Sequence, residues 1–515
     1  MSLDKTGGFR SRSSKGDKPG STRKTGPQPQ RSSAGRGGQN RGAQNKGAQG
    51  HGQGRPPKKQ AQGRDASGET RHVRSLGVDK PREIAFEVLD RVRTGDAYAN
   101  LVLPRLLSKH HLSGRDAAFA TEITYGTLRK QGLLDSIIKA ASGRQLSEID
   151  PEILDILRLG AYQVLFMRVE DHAAVDTSVK MVGGLKKFQA TGFANAILRN
   201  ITRTSPEAWL DQLEPEGDIA KVAFRTAHPE WIARSFAQLL PAEELEDALA
   251  ADSERPVVHL VARPGEISAE ELALIVGGEE GRYSPYAVYL EGGDPADIEP
   301  IKEGLAAVQD EGSQLIARAM AEVPVTDDHG KWLDLCAGPG GKAALIGSLA
   351  RMEAAKLDAV EISEHRARLI EKSVRGLPVK VMVGDGRSIN LENNYDRVLV
   401  DAPCSGLGAL RRRPEARWRK QESDIAELNV LQLELLESAI NKVRSGGIVV
   451  YSTCSPDLRE TRGVVDQALA KLDVEELDAR PFVPGMEDTG AEKSVQMWPH
   501  RHGTDAMFFA ILRKK

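Results

Sequence analysis

The sequence predicts a multidomain fold with an all-α domain, a small α+β module and a doubly wound α/β domain. Apolar residues recur at helical spacing within residues 76–205, with no strong strand alternation between them. Signals are mixed over residues 206–300, which we predict to be a linker and the α+β module. Over residues 301–515, apolar strands alternate with amphipathic helices, which is typical of a parallel sheet. A chain of 515 residues is long enough for about three domains.

Residues 1–75 are predicted to form a disordered basic tail. Gly, Ser, Gln, Lys and Arg dominate the segment, which cannot bury enough apolar surface to offset the entropy of ordering it. The segment has 17 Lys and Arg against 4 Asp and Glu, a charge of +13, and the rest of the chain carries −15. Such a segment either binds a polyanion electrostatically without sequence specificity or only keeps the protein soluble.

The all-α prediction depends on periodic apolar segments. Ile84, Val88 and Val92 recur behind Pro81, a favourable first-turn residue. The segments from 153 to 164 and from 193 to 201 repeat this spacing. We therefore expect this domain to contain roughly five to seven α-helices.

The α+β module is predicted from two local signals. Residues 256–262 have the composition of a strand. Ser268, with Glu271 three residues later, indicates the capped start of a helix that runs to Val276.

The α/β prediction rests on six short apolar segments. They are Trp332–Leu335, Leu357–Glu361, Val379–Val383, Arg397–Asp401, Ile448–Ser452 and Met507–Leu512. A doubly wound sheet binds its ligands at the carboxyl ends of its strands. The loops after these segments are therefore the candidate site.

The three cysteines each follow one of these segments, beside Gly or Pro. None forms a Cys-x-x-Cys pair, so we expect neither a disulfide scaffold nor a metal site. Reduced thiols are typical of the cytosol, and the chain has no secretory signal and no run of about 18 apolar residues. We therefore expect a cytoplasmic protein without a membrane span, and a monomer, because no long apolar heptad is present.

The loop after the first strand is glycine-rich and leads into a helix. It comprises Cys336, Ala337, Gly338, Pro339, Gly340, Gly341 and Lys342. Its pattern matches neither a dinucleotide fingerprint nor a phosphate-binding P-loop. S-adenosylmethionine (SAM), which has a carboxylate and an ammonium but no phosphate, fits such a loop. An ordinary tight turn is the alternative.

Two acidic residues follow the next two strands. Glu361 at the end of the second strand can accept both ribose hydroxyls of a nucleoside. Asp385, flanked by Gly384 and Gly386, can accept from the amino group of an adenine. A surface acid and a turn aspartate are the alternatives.

The fourth and fifth strands lead to Cys404 and Cys454. Asp401 precedes Cys404, and a cationic run follows it, containing Arg411, Arg412, Arg413 and Arg417. With Trp418 inside the run, this segment suits a phosphate backbone with an unstacked base, although a solvated charged loop has the same composition. Two thiols on neighbouring strand ends, beside a cofactor loop, indicate a sulfur nucleophile.

These motifs together resemble RNA (cytosine-5) methyltransferases. The segments that carry the resemblance are 336–342, 401–404, 452–455, 309–314 and 498–509. The segments 119–129, 157–163 and 192–199 resemble NusB-like RNA-binding domains. A NusB-like domain followed by a Rossmann-like methyltransferase domain is similar to the Sun/RsmB branch, which modifies small-subunit ribosomal RNA.

The resemblance implies a role for each candidate residue. Residues 336–342 would line the SAM site, with Glu361 on the ribose, Asp385 on the adenine and Asp401 on both cofactor and base. Cys454 would be the nucleophile, and Cys404 would help release the product. Three positions depart from the family: Gly338 stands where Ala is common, Ala343 where Thr is common, and Glu361 where Asp is common.

The implied reaction begins when a thiolate adds to carbon 6 of cytosine, so that carbon 5 can take the methyl group. Asp401 could donate a proton to the ring nitrogen, and Cys404 could remove the carbon-5 proton directly or by ordering a water. Spacing alone does not decide which cysteine attacks. A methyltransferase acting on transfer RNA and a non-catalytic RNA-binding factor are the competing hypotheses.

Overall fold

The computed structural model describes residues 74–95 and 97–515. Residues 1–73 of the predicted basic tail therefore lie outside the described residues. The described chain begins with eleven α-helices. They are α1 (Lys80–Thr94), α2 (Ala99–Lys109), α3 (Gly114–Arg129), α4 (Gln131–Ser142), α5 (Pro151–Phe166), α6 (Asp171–Gly184), α7 (Thr191–Ile201), α8 (Pro206–Leu213), α9 (Asp218–Arg225), α10 (Glu230–Ala237) and α11 (Leu245–Ala251).

The periodic apolar residues predicted for α1 and α5 form the core of this helical part. Ile84, Val88, Ile156 and Leu157 are inaccessible to solvent and share one apolar cluster. Asp79 caps α1 by accepting a hydrogen bond from the amide of Arg82 at 3.2 Å. Helices continue to Ala251, beyond the domain boundary predicted at residue 205, and that boundary stays a prediction.

A small antiparallel sheet follows the helices. Its elements are β1 (Val258–Ala262), α12 (Ala269–Val276), β2 (Glu279–Glu280), β3 (Ala287–Leu290), α13 (Glu299–Lys302) and β4 (Ala306–Val308), and the strand order is β2-β3-β1-β4. The predicted cap is present, because the Ser268 hydroxyl accepts from the amide of Glu271 at 3.0 Å.

The rest of the chain forms an eight-stranded mixed sheet flanked by helices, which confirms the predicted doubly wound α/β fold. Its elements are α14 (Glu311–Glu322), β5 (Lys331–Asp334), α15 (Gly341–Met352), β6 (Lys356–Glu361), α16 (Glu364–Ser373), β7 (Val379–Val383), β8 (Tyr395–Asp401), α17 (Ala416–Arg419), α18 (Asp424–Lys442), β9 (Val443–Thr453), α19 (Arg462–Lys471), β10 (Val474–Leu477), β11 (Val495–Gln496), α20 (Pro499–His502) and β12 (Phe508–Lys514). All six strands predicted from the sequence are present. Most of their bounds move by one or two residues, while β9 begins five residues earlier than predicted.

The strand order places the candidate loops together. The sheet runs β10-β12-β9-β8-β5-β6-β7, with β11 paired to β12, and the five strands from β7 to β9 are parallel. The chain moves outward from β5 to β7 and then returns to β8 on the other side of β5. The carboxyl ends of β5 and β8 therefore form the topological switch point, where open α/β sheets bind ligands.

No helix of residues 74–95 and 97–515 is long and apolar enough to cross a membrane.

Candidate active site

Cys404 and Cys454 are in direct contact at the carboxyl edge of the sheet. β8 and β9 are parallel, with Asp401 opposite Ser452, so the loops after these strands start side by side. The two sulfur atoms lie 3.3 Å apart, within hydrogen-bond distance. Both cysteines are part-buried.

The contact makes the two thiols chemically different. The hydrogen bond with Cys404, and to a smaller extent the Lys342 ammonium, lowers the pKa of Cys454, although burial and the Asp401 carboxylate act in the opposite direction. The same hydrogen bond, together with burial, raises the pKa of Cys404 well above its ordinary value. Of the two thiols, Cys454 therefore has the lower pKa and Cys404 the higher.

Asp401 connects the two cysteine strands to the glycine-rich loop. Its carboxylate accepts from the Ser452 hydroxyl and from the Lys342 ammonium, each at 3.0 Å. Burial alone would lower the pKa of Lys342, but the attraction of Asp401 outweighs it and the pKa lies above its ordinary value. Lys342 is therefore a protonated ammonium that is ion-paired with Asp401.

Asp334, at the end of β5, is a further titratable group that the sequence analysis missed. It is inaccessible to solvent, and one carboxyl oxygen has no hydrogen-bond partner. Burial, and then the nearby Asp401 carboxylate, raise the pKa of Asp334 to about 7. An acid inside the apolar segment Trp332–Leu335 was the signal that could have identified it.

The glycine-rich loop packs its backbone against the Glu361 carboxylate. A Cβ atom at Gly338 would lie 2.0 Å from Oε2 of Glu361, so a larger residue here would displace the Glu361 carboxylate from its position. Gly340 has a φ of +113°, in the region that favours glycine, and α15 starts directly after it. Glu361 is buried and accepts from the amide of Ser363 at 2.8 Å, and the Arg366 guanidinium lies 3.5 Å from its other oxygen. Backbone amides and a buried carboxylate therefore meet at the ends of β5 and β6.

Asp385 lies after β7, at the same edge of the sheet. Arg387 holds its carboxylate with two guanidinium nitrogens and so lowers the pKa of Asp385. Ile362 and Val383, at the ends of β6 and β7, are 65% and 56% exposed, which is unusual for large apolar side chains at a strand end. The sequence analysis did not identify these two residues as site candidates, although Ile362 follows the predicted segment Leu357–Glu361 and Val383 ends the predicted segment Val379–Val383.

The four predicted RNA-binding arginines do not form one exposed surface. Arg413 is exposed and its guanidinium lies 5.0 Å from the centre of the Tyr98 ring. Arg412 is part-buried, and its guanidinium bonds Asp310 at 2.7 Å and Asp505 at 2.9 Å. Arg411 is buried on the same two aspartates.

Arg417 has no accessible surface at all. Its guanidinium donates to the carbonyls of Ala227 and Asp252, each at 3.1 Å, and to the Ser253 hydroxyl at 2.9 Å. A weaker contact at 3.4 Å reaches the Arg129 carbonyl, at the end of α3. The burial of Arg411 and Arg417 does not fit direct contact with RNA, because both guanidinium groups already satisfy acceptors inside the protein.

Among the described residues, no cluster of three or more His, Cys, Asp or Glu side chains has the geometry to hold a metal ion.

Comparison with known proteins identifies relatives over most of the chain. The family described as 16S rRNA methyltransferase RsmB/F matches residues 320–513, and the NusB family matches residues 79–203. Ribosomal RNA small subunit methyltransferase B of Escherichia coli O6:K15:H31 (strain 536 / UPEC) is 32% identical over 449 residues, 84% of this chain and 98% of that protein. A Mycobacterium tuberculosis (strain ATCC 25618 / H37Rv) protein, whose name identifies it no further than as a methyltransferase, is 54% identical over 451 residues, 86% of this chain and 99% of that protein.

A solved structure also matches most of the chain. The crystal structure of PH0851 superposes with a TM-score of 0.72 and 25% identity, over 85% of this chain and 99% of that one.

Proposed function

Because the chain belongs to the RsmB/F family of 16S rRNA methyltransferases, whose methyl donor is SAM, we propose that it methylates carbon 5 of a cytosine in 16S ribosomal RNA through a covalent bond to Cys454. The observation that carries this proposal is the 3.3 Å contact between the Cys404 and Cys454 sulfurs, next to the Lys342–Asp401 ion pair. A thiol that donates to a second thiol, beside a fixed cation, is the arrangement that prepares a sulfur nucleophile.

The residues at the carboxyl edge of the sheet fit SAM, which supplies a methyl group on a sulfonium when it is bound. The glycines of residues 336–342 would let the backbone come close to an amino-acid carboxylate, and the N-terminus of α15 would favour its negative charge. The buried Glu361 carboxylate suits the ribose hydroxyls, and Asp385 the adenine amino group. Ile362 and Val383 offer apolar surface for the adenine ring at the same strand ends. We propose these residues as the cofactor site.

The proposed reaction starts from the chemistry of the base. Carbon 5 of cytosine is too weak a nucleophile to take a methyl group directly. Addition of the Cys454 thiolate to carbon 6 makes the ring enamine-like, so that carbon 5 could take the methyl group that bound SAM would supply, with a neutral thioether as the leaving group. The ring nitrogen must gain a proton as the sulfur–carbon bond forms. Asp401 is the proposed donor, and the Lys342 ammonium, 3.0 Å away, can supply the proton to it.

The cycle closes with the loss of the carbon-5 proton. Since Cys404 keeps its own proton in this arrangement, we propose that it orders the water that accepts the carbon-5 proton. The bond between carbon 6 and sulfur then breaks, the ring nitrogen returns its proton through Asp401 to Lys342, and Cys454 leaves as a thiolate. A base must leave its stack to reach Cys454, so the target is a single-stranded or loop cytosine.

Two experiments test the proposal. Bisulfite sequencing of total RNA from cells with and without this protein should reveal one 16S cytosine that loses its methyl group. If the missing methyl group lies in transfer RNA instead, the substrate assignment is wrong.

The second experiment uses purified protein and assigns the cysteines. Cys454→Ser should abolish the covalent adduct with RNA, and Cys404→Ser should let the adduct accumulate on a denaturing gel. The reverse result would exchange their roles.

A further inference from the structure

Glu460 is a buried carboxylate that touches both cysteine loops without lying in the proposed reaction path. It stands six residues after Cys454 and has no accessible surface. Burying a carboxylate is costly unless several hydrogen bonds compensate it. The hydrogen-bond partners of the Glu460 carboxylate therefore indicate its role in the structure.

The side-chain carboxylate of Glu460 accepts hydrogen bonds from Ser405, which follows Cys404, and from Gln432, which also contacts Pro403. One oxygen accepts from the Ser405 amide at 2.8 Å and from the Gln432 side-chain amide at 3.0 Å. The other oxygen accepts from the Ser405 hydroxyl. The same Gln432 amide group also donates to the Pro403 carbonyl at 2.9 Å. The peptide groups on both sides of Cys404 are thus fixed by one carboxylate and its partner.

The network continues into the loop of Cys454. The Ser405 and Ser455 hydroxyl oxygens lie 3.1 Å apart. Because Ser405 gives its proton to Glu460, the Ser455 hydroxyl must donate to Ser405. The Tyr451 hydroxyl, on β9, donates to the Glu460 carbonyl at 2.7 Å. Both loops are therefore held relative to one residue.

We propose that Glu460 is a positioning residue that holds the Cys404 and Cys454 sulfurs in contact. This inference rests on the proposed function, since the contact matters for a reaction in which Cys454 attacks. The carboxylate is required rather than any polar group of this size, because its two oxygens both accept. An amide nitrogen facing the Ser405 and Gln432 amides would meet only donors. Facing the Ser405 hydroxyl, it could donate, but that hydroxyl would then turn its proton to Ser455, and the Ser455 proton would lose its acceptor.

The test compares Glu460→Gln with the wild-type protein and with Glu427→Gln, an exposed glutamate on α18. Glu460→Gln should lower kcat about a hundredfold, the usual effect of a small misplacement of reacting groups. The Kd for SAM should stay within about twofold, since no partner of Glu460 lies in the proposed cofactor site. Glu427→Gln should match the wild type. An unchanged kcat for Glu460→Gln in a protein that does methylate cytosine would overturn the inference and leave the proposed function standing.

A second readout needs no RNA and therefore stands even if the proposed function fails. The rate at which iodoacetamide alkylates Cys454, followed by peptide mass spectrometry across a pH series, reports how well Cys404 donates to it. In Glu460→Gln the rising limb should move to higher pH, because the donor is no longer held in place. Ser405→Ala, which removes one bond and leaves the carboxylate, should move the limb in the same direction and serves if Glu460→Gln unfolds. Profiles that coincide with the wild type in both variants would refute the positioning role.

Discussion

Gly338 and Glu361 fit together as a pair: a methyl group on Gly338 would occupy the place of the Glu361 carboxylate, 2.0 Å from its Oε2 atom. Both residues depart from the resemblance to RNA (cytosine-5) methyltransferases, where Ala and Asp are common at these positions. A longer acid fills the space that the missing methyl group leaves. We therefore expect the two departures to compensate each other.

This pairing predicts a double-mutant cycle for SAM affinity. Gly338→Ala alone should weaken SAM binding about tenfold, because it displaces a carboxylate that is held by Ser363 and buried. Glu361→Asp combined with Gly338→Ala should recover most of the loss, since the shorter acid leaves room for the methyl group. Isothermal calorimetry of the four proteins measures the coupling, and additive losses would contradict the compensation.

The Lys342 ammonium donates to Asp401 and is one of the groups that lower the pKa of Cys454, so Lys342→Met should affect the rate and its pH dependence together. Without this cation the pKa of Cys454 rises, because Lys342 is one of the groups that lower it. Activity that depends on a thiolate is lost as the pH falls through that pKa, so the rising limb of the pH–rate profile should move to higher pH. Lys372→Met, on the exposed side of α16, is the control and should leave the profile unchanged.

The sequence predicted the strands well because parallel strands covered on both faces appear as short apolar segments. Leu333, Val398 and Val450 have no accessible surface and belong to three such segments. The loops at their ends could then be placed together before any distance was known. To locate the candidate site, only the order of the strands in the sheet remained to be determined.

The cationic run was harder to interpret, because charged residues near each other in sequence resemble an exposed surface. The carbonyl partners of Arg417 belong to Ala227 and Asp252, 190 and 165 residues away along the chain. Glu460 was missed for the same reason, since its partners Ser405 and Gln432 precede it by 55 and 28 residues. No local pattern identifies a charge whose partners come from distant segments.

The two kinds of arginine in this run should respond differently to mutation. Arg417→Ala should lower the free energy of unfolding by about 3 kcal/mol, because it leaves several buried acceptors without a donor. Arg413→Ala should change stability by less than about 0.5 kcal/mol and weaken RNA binding, since its side chain is exposed. Chemical denaturation and a filter-binding titration distinguish them. Equal stability of the two variants would show that the Arg417 network contributes little.

The carboxyl group of Asp334 makes stability depend on pH in a direction opposite to that of most acids. Its pKa is about 7 in the folded protein, above the value near 3.9 expected in the unfolded chain. Between these values the folded state binds more protons than the unfolded state, so this group lowers stability as the pH rises from about 4 to 7.

Asp334→Asn removes that dependence while it keeps an acceptor for the Cys336 amide. The free energy of unfolding of the variant should therefore increase relative to that of the wild type as the pH rises from about 5 to 8, because only the wild type loses stability through this group. Thermal denaturation without SAM across this range measures the trend. Asp473→Asn, at a position whose side chain is 80% exposed, is the control and should give a flat difference. A flat difference for Asp334→Asn as well would mean that the carboxylate is ionised in the folded protein throughout this range.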